Sequence, residues 1–384
     1  MKVFFALFIA AAASLAQQAQ THVPRVESPE VQSDRRVIFR YYDPNAHQVK
    51  VHLEGAKAPF PMQKDQNGIW TYTSEPLAAD LYGYTFDSDG ATRLDPANTA
   101  IKPNLLNLSN VAHVSGPSPE PWEASDIPHG LLHHHFYRSA IVGDNRDFYV
   151  YTPPGYDPAA AAAYPVLYLL HGFSDDASGW TAVGKANLIL DSLIAEHKAK
   201  PMIVVMPLGY GAPEILHREN AFRNDELRER NFTKFRAALS EEVIPFVERT
   251  YKVDRGRDAR AIAGLSMGGA ESLLTGLNRL DLFSWVGAFS SGGLGQDLGA
   301  AFPQLDASAN QKLHLLWVAC GTDDRLITPN RNLVSWLKSK GVHVDAIETP
   351  GMHTWMVWRR NLIAFAPQLF QQPPANAPSA GGSQ

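Results

Sequence analysis

The sequence predicts two domains in tandem: a small all-β sandwich, then a larger α/β domain on a mostly parallel sheet. Three observations carry this. Short strand-like runs closed by turns fill the chain from Thr21 to about Ser115. From Pro165 onward, buried apolar runs alternate with helical segments, the pattern of a parallel sheet covered on both faces. Between the two lies Gly116-Pro117-Ser118-Pro119-Glu120-Pro121, a semi-extended proline-rich linker expected over residues 116–125.

The chain opens with a secretory pattern over residues 1–16. Lys2 precedes the mostly apolar Val3–Ala13, and Ser14-Leu15-Ala16 supplies small residues for cleavage. The apolar run is too short to span a bilayer comfortably, so cleavage is expected rather than anchoring. The mature chain is then secreted or periplasmic, with no membrane partner.

In the sandwich, residues 21–115, Arg36–Tyr42 and Val49–Leu53 read as strands. Asp65-Gln66-Asn67-Gly68 turns the chain into Ile69–Thr73, and Leu81–Phe86 followed by Ser88-Asp89-Gly90 repeats the theme. Strands at this spacing suggest an immunoglobulin-like sandwich. Trp70 and Tyr84 read as core aromatics before sugar platforms. Glycan binding and simple bracing of the next domain both stay open for this module.

In the α/β domain, residues 126–370, Phe136–Val142 and Arg146–Thr152 flank Gly143-Asp144-Asn145 as a hairpin. Val166–Leu170 is an apolar strand ending in His171-Gly172-Phe173. Arg260–Ala263 is another, and it leads into Gly264-Leu265-Ser266-Met267-Gly268. That pentapeptide fits G-x-S-x-G, the nucleophile elbow of α/β-hydrolases, with the strand before and helix after that the motif needs. The elbow order Ser, acid, His then selects the partners. Leu313–Ala319 reads as a strand ending in Cys320-Gly321-Thr322-Asp323-Asp324, and Asp324 is preferred to Asp323 for its three-residue offset from Gly321. A helix over Asn332–Lys338 and a strand over Val342–Ile347 follow. His353, in the loop after that strand, is the expected base, and His343 is read as a strand-face residue.

The chemistry needs each part. A neutral imidazole takes the serine proton and later gives one to the leaving group. A buried carboxylate fixes the imidazole tautomer. Backbone donors receive the oxyanion, and the N–H groups of Phe173 and Met267 are assigned to that role. Trp180, Leu265 and Trp355, close in sequence to these elements, are expected with Phe173 to wall a substrate pocket.

Other features exclude function classes. The 384-residue chain carries a formal net charge of −5, which argues against nucleic acid as the main partner. It has one cysteine, Cys320, so no intrachain disulfide forms. His133-His134-His135 alternate faces in an extended segment and cannot readily converge on one metal ion. No cofactor or metal is expected. The polar tail, residues 371–384, reads as disordered.

Several stretches resemble carbohydrate esterase family 1, the branch with feruloyl esterases and esterase D-like hydrolases. They are Tyr149–Tyr156, Val205–Gly211, Glu242–Val247, Gly264–Gly269, Gly321–Asp324 and Gly351–Trp355. The resemblance spans about residues 130–370 and carries its triad onto Ser266, Asp324 and His353. It implies hydrolysis of acyl esters, often on plant cell-wall saccharides, with hydroxycinnamoyl esters favoured. Arg40–Asn45, Gly68-Ile69-Trp70, Tyr82–Phe86 and Leu94-Asp95-Pro96 resemble early-set modules such as carbohydrate-binding module family 48. Acetyl or siderophore-type esterases, acyltransferases and a sugar-binding protein with a silent hydrolase domain are the competing readings.

Overall fold

A computed structural model describes residues 24–217 and 223–371. Residues 1–16, read above as a secretory signal, and the expected disordered tail beyond Gln371 lie outside the described residues.

β-branched and aromatic residues at alternate positions build the N-terminal sandwich. One sheet runs in the order Glu30–Val31, Val37–Tyr42, Ile69–Thr73, Gln63–Lys64. The facing sheet centres on Asp80–Ser88, flanked by Val49–Leu53 and Ser109–Val114. Val37, Phe39, Val51, Tyr84 and Phe86 point inward and make the core. Trp70 and Tyr84 lie in it too, and Trp70 Nε1 donates to the Asp43 carbonyl at 2.9 Å.

The second domain is one eight-stranded sheet. Its strands are β1 (Leu131–Arg138), β2 (Asn145–Thr152), β3 (Val166–Leu170), β4 (Ile203–Pro207), β5 (Arg260–Leu265), β6 (Trp285–Phe289), β7 (Leu315–Gly321) and β8 (Asp345–Thr349). The spatial order is β1-β2-β4-β3-β5-β6-β7-β8. β2 pairs antiparallel with both neighbours, and every pairing from β4 to β8 is parallel.

Two apolar layers clothe this sheet. In β3, Val166, Tyr168 and Leu170 join one layer, and Leu167 and Leu169 join the other, the period-two signature of a strand covered on both faces. The first layer takes in Phe232, Leu273 and Leu333, from the helices Asp225–Ala238, Met267–Gly276 and Ile327–Ser339. The second takes in Ile189 and Leu362, from Ala186–Ala195 and Trp355–Phe365.

Some bounds differ from the sequence reading. β1 runs from Leu131 to Arg138, earlier than the expected Phe136–Val142, because Leu131, Leu132 and Phe136 are exposed while His133 and His135 are half-buried, the reverse of an apolar-in, polar-out alternation. The helix expected over Asn332–Lys338 begins at Ile327, with Pro329 in its first turn, where a missing N–H costs nothing. β8 begins at Asp345, so His343 lies in an exposed loop and not on a strand face. The three histidines sit in β1 and diverge: His133 meets Thr152, His134 meets Asp147 and His135 meets the Tyr251 hydroxyl.

The linker region is anchored. Trp122 is buried, with the guanidinium carbons of Arg359 and Arg360 at 5.6 and 5.9 Å from its ring. Both arginines also reach the sandwich, pairing with the buried Asp80 at 2.5 and 2.6 Å. The sandwich is therefore bolted to the helix that follows the His353 loop.

Candidate active site

The elbow is built as its glycines dictate. A Cβ on Gly264 would stand 2.5 Å from the Gly268 carbonyl oxygen, and one on Gly268 would stand 2.5 Å from that of His171. Only glycine tolerates these approaches. Ser266 has φ +51° and ψ −113°, a conformation L-residues rarely adopt, between β5 and the helix Met267–Gly276. Its own N–H is tied to the Phe289 carbonyl at 2.8 Å, and its carbonyl accepts from Gly292 at 2.9 Å.

Three separate loops converge on the Ser266 hydroxyl. His353 Nε2 lies 3.0 Å from Ser266 Oγ, and His353 Nδ1 lies 2.7 Å from Asp324 Oδ2. Asp324 is buried at the end of β7, and its other oxygen accepts from the Leu326 N–H at 2.8 Å. Burial pushes this carboxyl up, but the hydrogen bond and charge of His353 outweigh it and hold Asp324 below the ordinary value. Asp323, one residue earlier, is exposed. Of the two aspartates in this turn, Asp324 is the one that faces the ring.

Met267 and the Gly172–Phe173 turn both lie beside the same serine. Met267 opens its helix, so its N–H belongs to the first-turn donors that no helical carbonyl takes up. The Gly172–Phe173 turn packs against the elbow: a Cβ on Gly172 would lie 3.3 Å from Ser266 Cβ. His171 holds that turn. Its Nδ1 lies 2.8 Å from the Gly172 carbonyl and its Nε2 accepts from the Gly209 N–H at 2.8 Å. Burial pushes its pKa down to about 4, so the ring stays neutral and can keep both roles.

The expected aromatic pocket is not there. Trp180, Leu265 and Trp355 are at most 2% exposed and belong to the core layer with Leu362 and Phe365. Trp180 Nε1 donates to the Leu170 carbonyl, and the two indoles meet edge to face at 5.2 Å. Leu265 precedes Ser266 on a strand, so its side chain goes through to the opposite face of the sheet. Phe173 alone of the four is part-exposed, packed against the other layer.

Two cavities meet the site instead. One, about 490 Å³, lies between the domains and is lined by His353, Asp323 and Arg325 together with His52, Glu54 and Lys102 of the sandwich. The other, about 520 Å³, is lined by Gly292, Leu294, Leu298, Leu326 and Leu333. It reaches the elbow at Gly292, where a Cβ would come within 3.7 Å of Ser266 Oγ. The sandwich residues of the first cavity went unseen in the sequence, because no local pattern joins Glu54 to a loop 300 residues away. The loop Ser291–Gln296, with its three glycines, was the one signal that could have located the second.

A hydroxyl, an imidazole and a buried carboxylate linked in this order can activate the hydroxyl as a nucleophile. Among the described residues no helix is long and apolar enough to cross a membrane.

Comparison with known proteins agrees with this architecture. The Esterase family matches residues 139–369, and carbohydrate-binding module 48 (isoamylase N-terminal domain) matches residues 28–103. An endo-1,4-beta-xylanase/feruloyl esterase of Xylanibacter ruminicola is 30% identical over 354 residues, covering 91% of this chain and 46% of that protein. This chain thus spans about half the length of that relative. The CE1 ferulic acid esterase of Anaeromyces mucronatus, solved with ferulic acid, is similar at 25% identity and TM-score 0.57, over 66% of this chain and 96% of that one. The enterobactin esterase FES of Shigella flexneri shares the fold across both domains, with TM-score 0.67 at 20% identity, over 87% of this chain and 92% of that one. The chain belongs to the Esterase family, with a carbohydrate-binding module 48 domain ahead of its α/β-hydrolase sheet.

Proposed function

We propose that this protein is a secreted serine carboxylic-ester hydrolase acting on acylated saccharides, with feruloyl esters of plant cell-wall polysaccharide as its main substrates. The observation that carries the reading is the unbroken chain Ser266 Oγ, His353 and Asp324, at 3.0 and 2.7 Å.

In this reading His353 Nε2 takes the Ser266 proton as Oγ attacks the ester carbonyl. The tetrahedral oxyanion is received by the N–H groups of Phe173 and Met267, a contribution of about 3–4 kcal/mol per donor. Asp324 holds the imidazolium and its tautomer. The ester C–O bond then breaks, and His353 gives its proton to the departing alkoxide. Water repeats the sequence on the acyl-serine and releases the acid and the free hydroxyl of Ser266.

The two cavities support a division of labour. The leaving alcohol must sit where His353 can protonate it. The charged cavity beside His353, with Glu54, Lys102 and Arg325, suits a polyhydroxylated alcohol such as a sugar. The acyl group takes the leucine-lined cavity at Gly292, which an acetyl group would leave mostly empty. The feruloyl esterase relatives favour the same acyl class.

The test compares kcat/KM for methyl ferulate, acetylated xylan and short 4-nitrophenyl esters, with Ser266→Ala as control. Feruloyl turnover should exceed acetyl turnover and vanish in the variant. A clear advantage for acetate would make this an acetylesterase, and transfer to an added polyol would make it an acyltransferase.

A further inference from the structure

The sandwich reaches both loops of the candidate site, one through Glu54 and the other through the segment Lys102–Leu105, and Lys102 ties the two together. Lys102 Nζ donates to Glu54 Oε1 at 3.0 Å, and the same oxygen accepts from the Trp355 N–H at 3.3 Å, two residues past His353. Asn104 Nδ2 donates to Ser174 Oγ at 3.0 Å and to Asp175 Oδ1 at 3.1 Å. The Leu105 N–H donates to the Ser174 carbonyl at 2.7 Å. Asn104 Oδ1 in turn accepts from the N–H groups of Leu106 and Asn107 at 3.0 and 2.8 Å, so the amide is fixed at both ends.

Ser174 sits in a conformation that needs such help. Its φ is +73°, in the left-handed region where a non-glycine residue is strained. It directly follows Phe173. A relaxation of Ser174 to an ordinary φ would swing the Phe173 backbone and with it the N–H assigned to the oxyanion in this reading. The inner side of this turn is held by the Tyr210 hydroxyl, which donates to the Asp175 carbonyl at 2.8 Å. The outer side is held from the other domain, by Asn104 and Leu105.

We propose that Asn104 is a positioning residue for the ester chemistry: it locks Ser174 in its left-handed backbone and so keeps the Phe173 N–H where the oxyanion forms. This inference rests on the serine-esterase reading. It gives the sandwich a part in turnover that is independent of any sugar binding. A shift of an oxyanion donor weakens transition-state binding and leaves ground-state binding alone.

The experiment measures kcat and KM of the full chain on 4-nitrophenyl acetate, for Asn104→Ala, Ser174→Gly, the double variant and Ser266→Ala. Asn104→Ala should lower kcat about tenfold with KM within about twofold, short of the hundredfold or more lost with an entire oxyanion donor. Adding Ser174→Gly should restore most of the loss, because glycine adopts a positive φ without a tether. A wild-type kcat in Asn104→Ala, a loss confined to KM, or no rescue in the double variant would overturn the proposal. If Asn104→Ala fails to fold, Asn104→Asp serves. It keeps the size and sets a carboxylate against Asp175, so its kcat deficit should deepen as pH rises, and a deficit flat with pH overturns the proposal. Turnover surviving Ser266→Ala would sink the esterase reading instead, whatever Asn104 does.

Discussion

Arg359 donates to Asp80 at 2.5 Å although the two lie in different domains, 279 residues apart in sequence and both out of reach of solvent. Arg360 closes on the other carboxylate oxygen at 2.6 Å. A buried carboxylate with two guanidinium partners is costly to break from one side, because the survivors keep their charge without a counterion. Arg359 and Arg360 lie on the helix that starts at Trp355, so this pair and the His353 loop share one rigid support.

Asp80→Ala should therefore destabilise the chain by about 3–5 kcal/mol, the range for removing one partner of a buried pair. Denaturant unfolding measures it. A loss under about 1 kcal/mol, the range of an exposed pair, would mean that the interface is wet and loose.

The two adjacent aspartates should separate cleanly. Asp324→Asn should lower kcat by about 10³–10⁴-fold by releasing the imidazole tautomer, while Asp323→Asn stays within about threefold. Steady-state rates on a short 4-nitrophenyl ester decide it. Equal losses would contradict the assignment of the acid.

Trp180 should act on stability and not on specificity. Trp180→Ala should cost about 3–5 kcal/mol, as for other large core aromatics. The ratio of feruloyl to acetyl turnover should stay put in Trp180→Phe and change in Leu326→Ala, which widens the cavity beside Gly292. A changed ratio in Trp180→Phe would restore the tryptophan as a pocket wall.

The reach of the sequence had a physical limit. Ser266 and Asp324 were legible because each follows a strand whose apolar run is easy to see, and the order along the chain then narrowed fourteen histidines to His353. The strands Val49–Leu53, Ile69–Thr73 and Val166–Leu170 were legible for the same reason. Nearness in sequence to a catalytic element misled for three residues: Leu265 neighbours Ser266 on a strand covered on both faces, and Trp180 and Trp355 open helical segments that turn into the opposite core layer. Glu54, Asn104 and Asp80 were invisible, because an interdomain hydrogen bond has no period and no motif.

Asp175 should give the stability curve a readable slope. Burial chiefly pushes its pKa up to about 7, against an ordinary value of 3.8. Between those values the folded chain holds a proton that the unfolded chain has lost, so stability falls as pH rises from about 4 to 7. Asp175→Asn keeps an oxygen for the Asn104 amide and cannot ionise. Its Tm relative to the parent should climb over that window. A constant Tm difference across it would show that Asp175 is charged throughout.

If Ser266 becomes the acylated nucleophile, it can be captured covalently. The full chain is treated with a fluorophosphonate ester, digested and mapped by mass spectrometry. One adduct is expected, on the peptide carrying Gly264–Gly268, formed at a rate that falls with Asp324→Asn and absent in Ser266→Ala. An adduct on any other residue, or ester turnover that persists in Ser266→Ala, would contradict it.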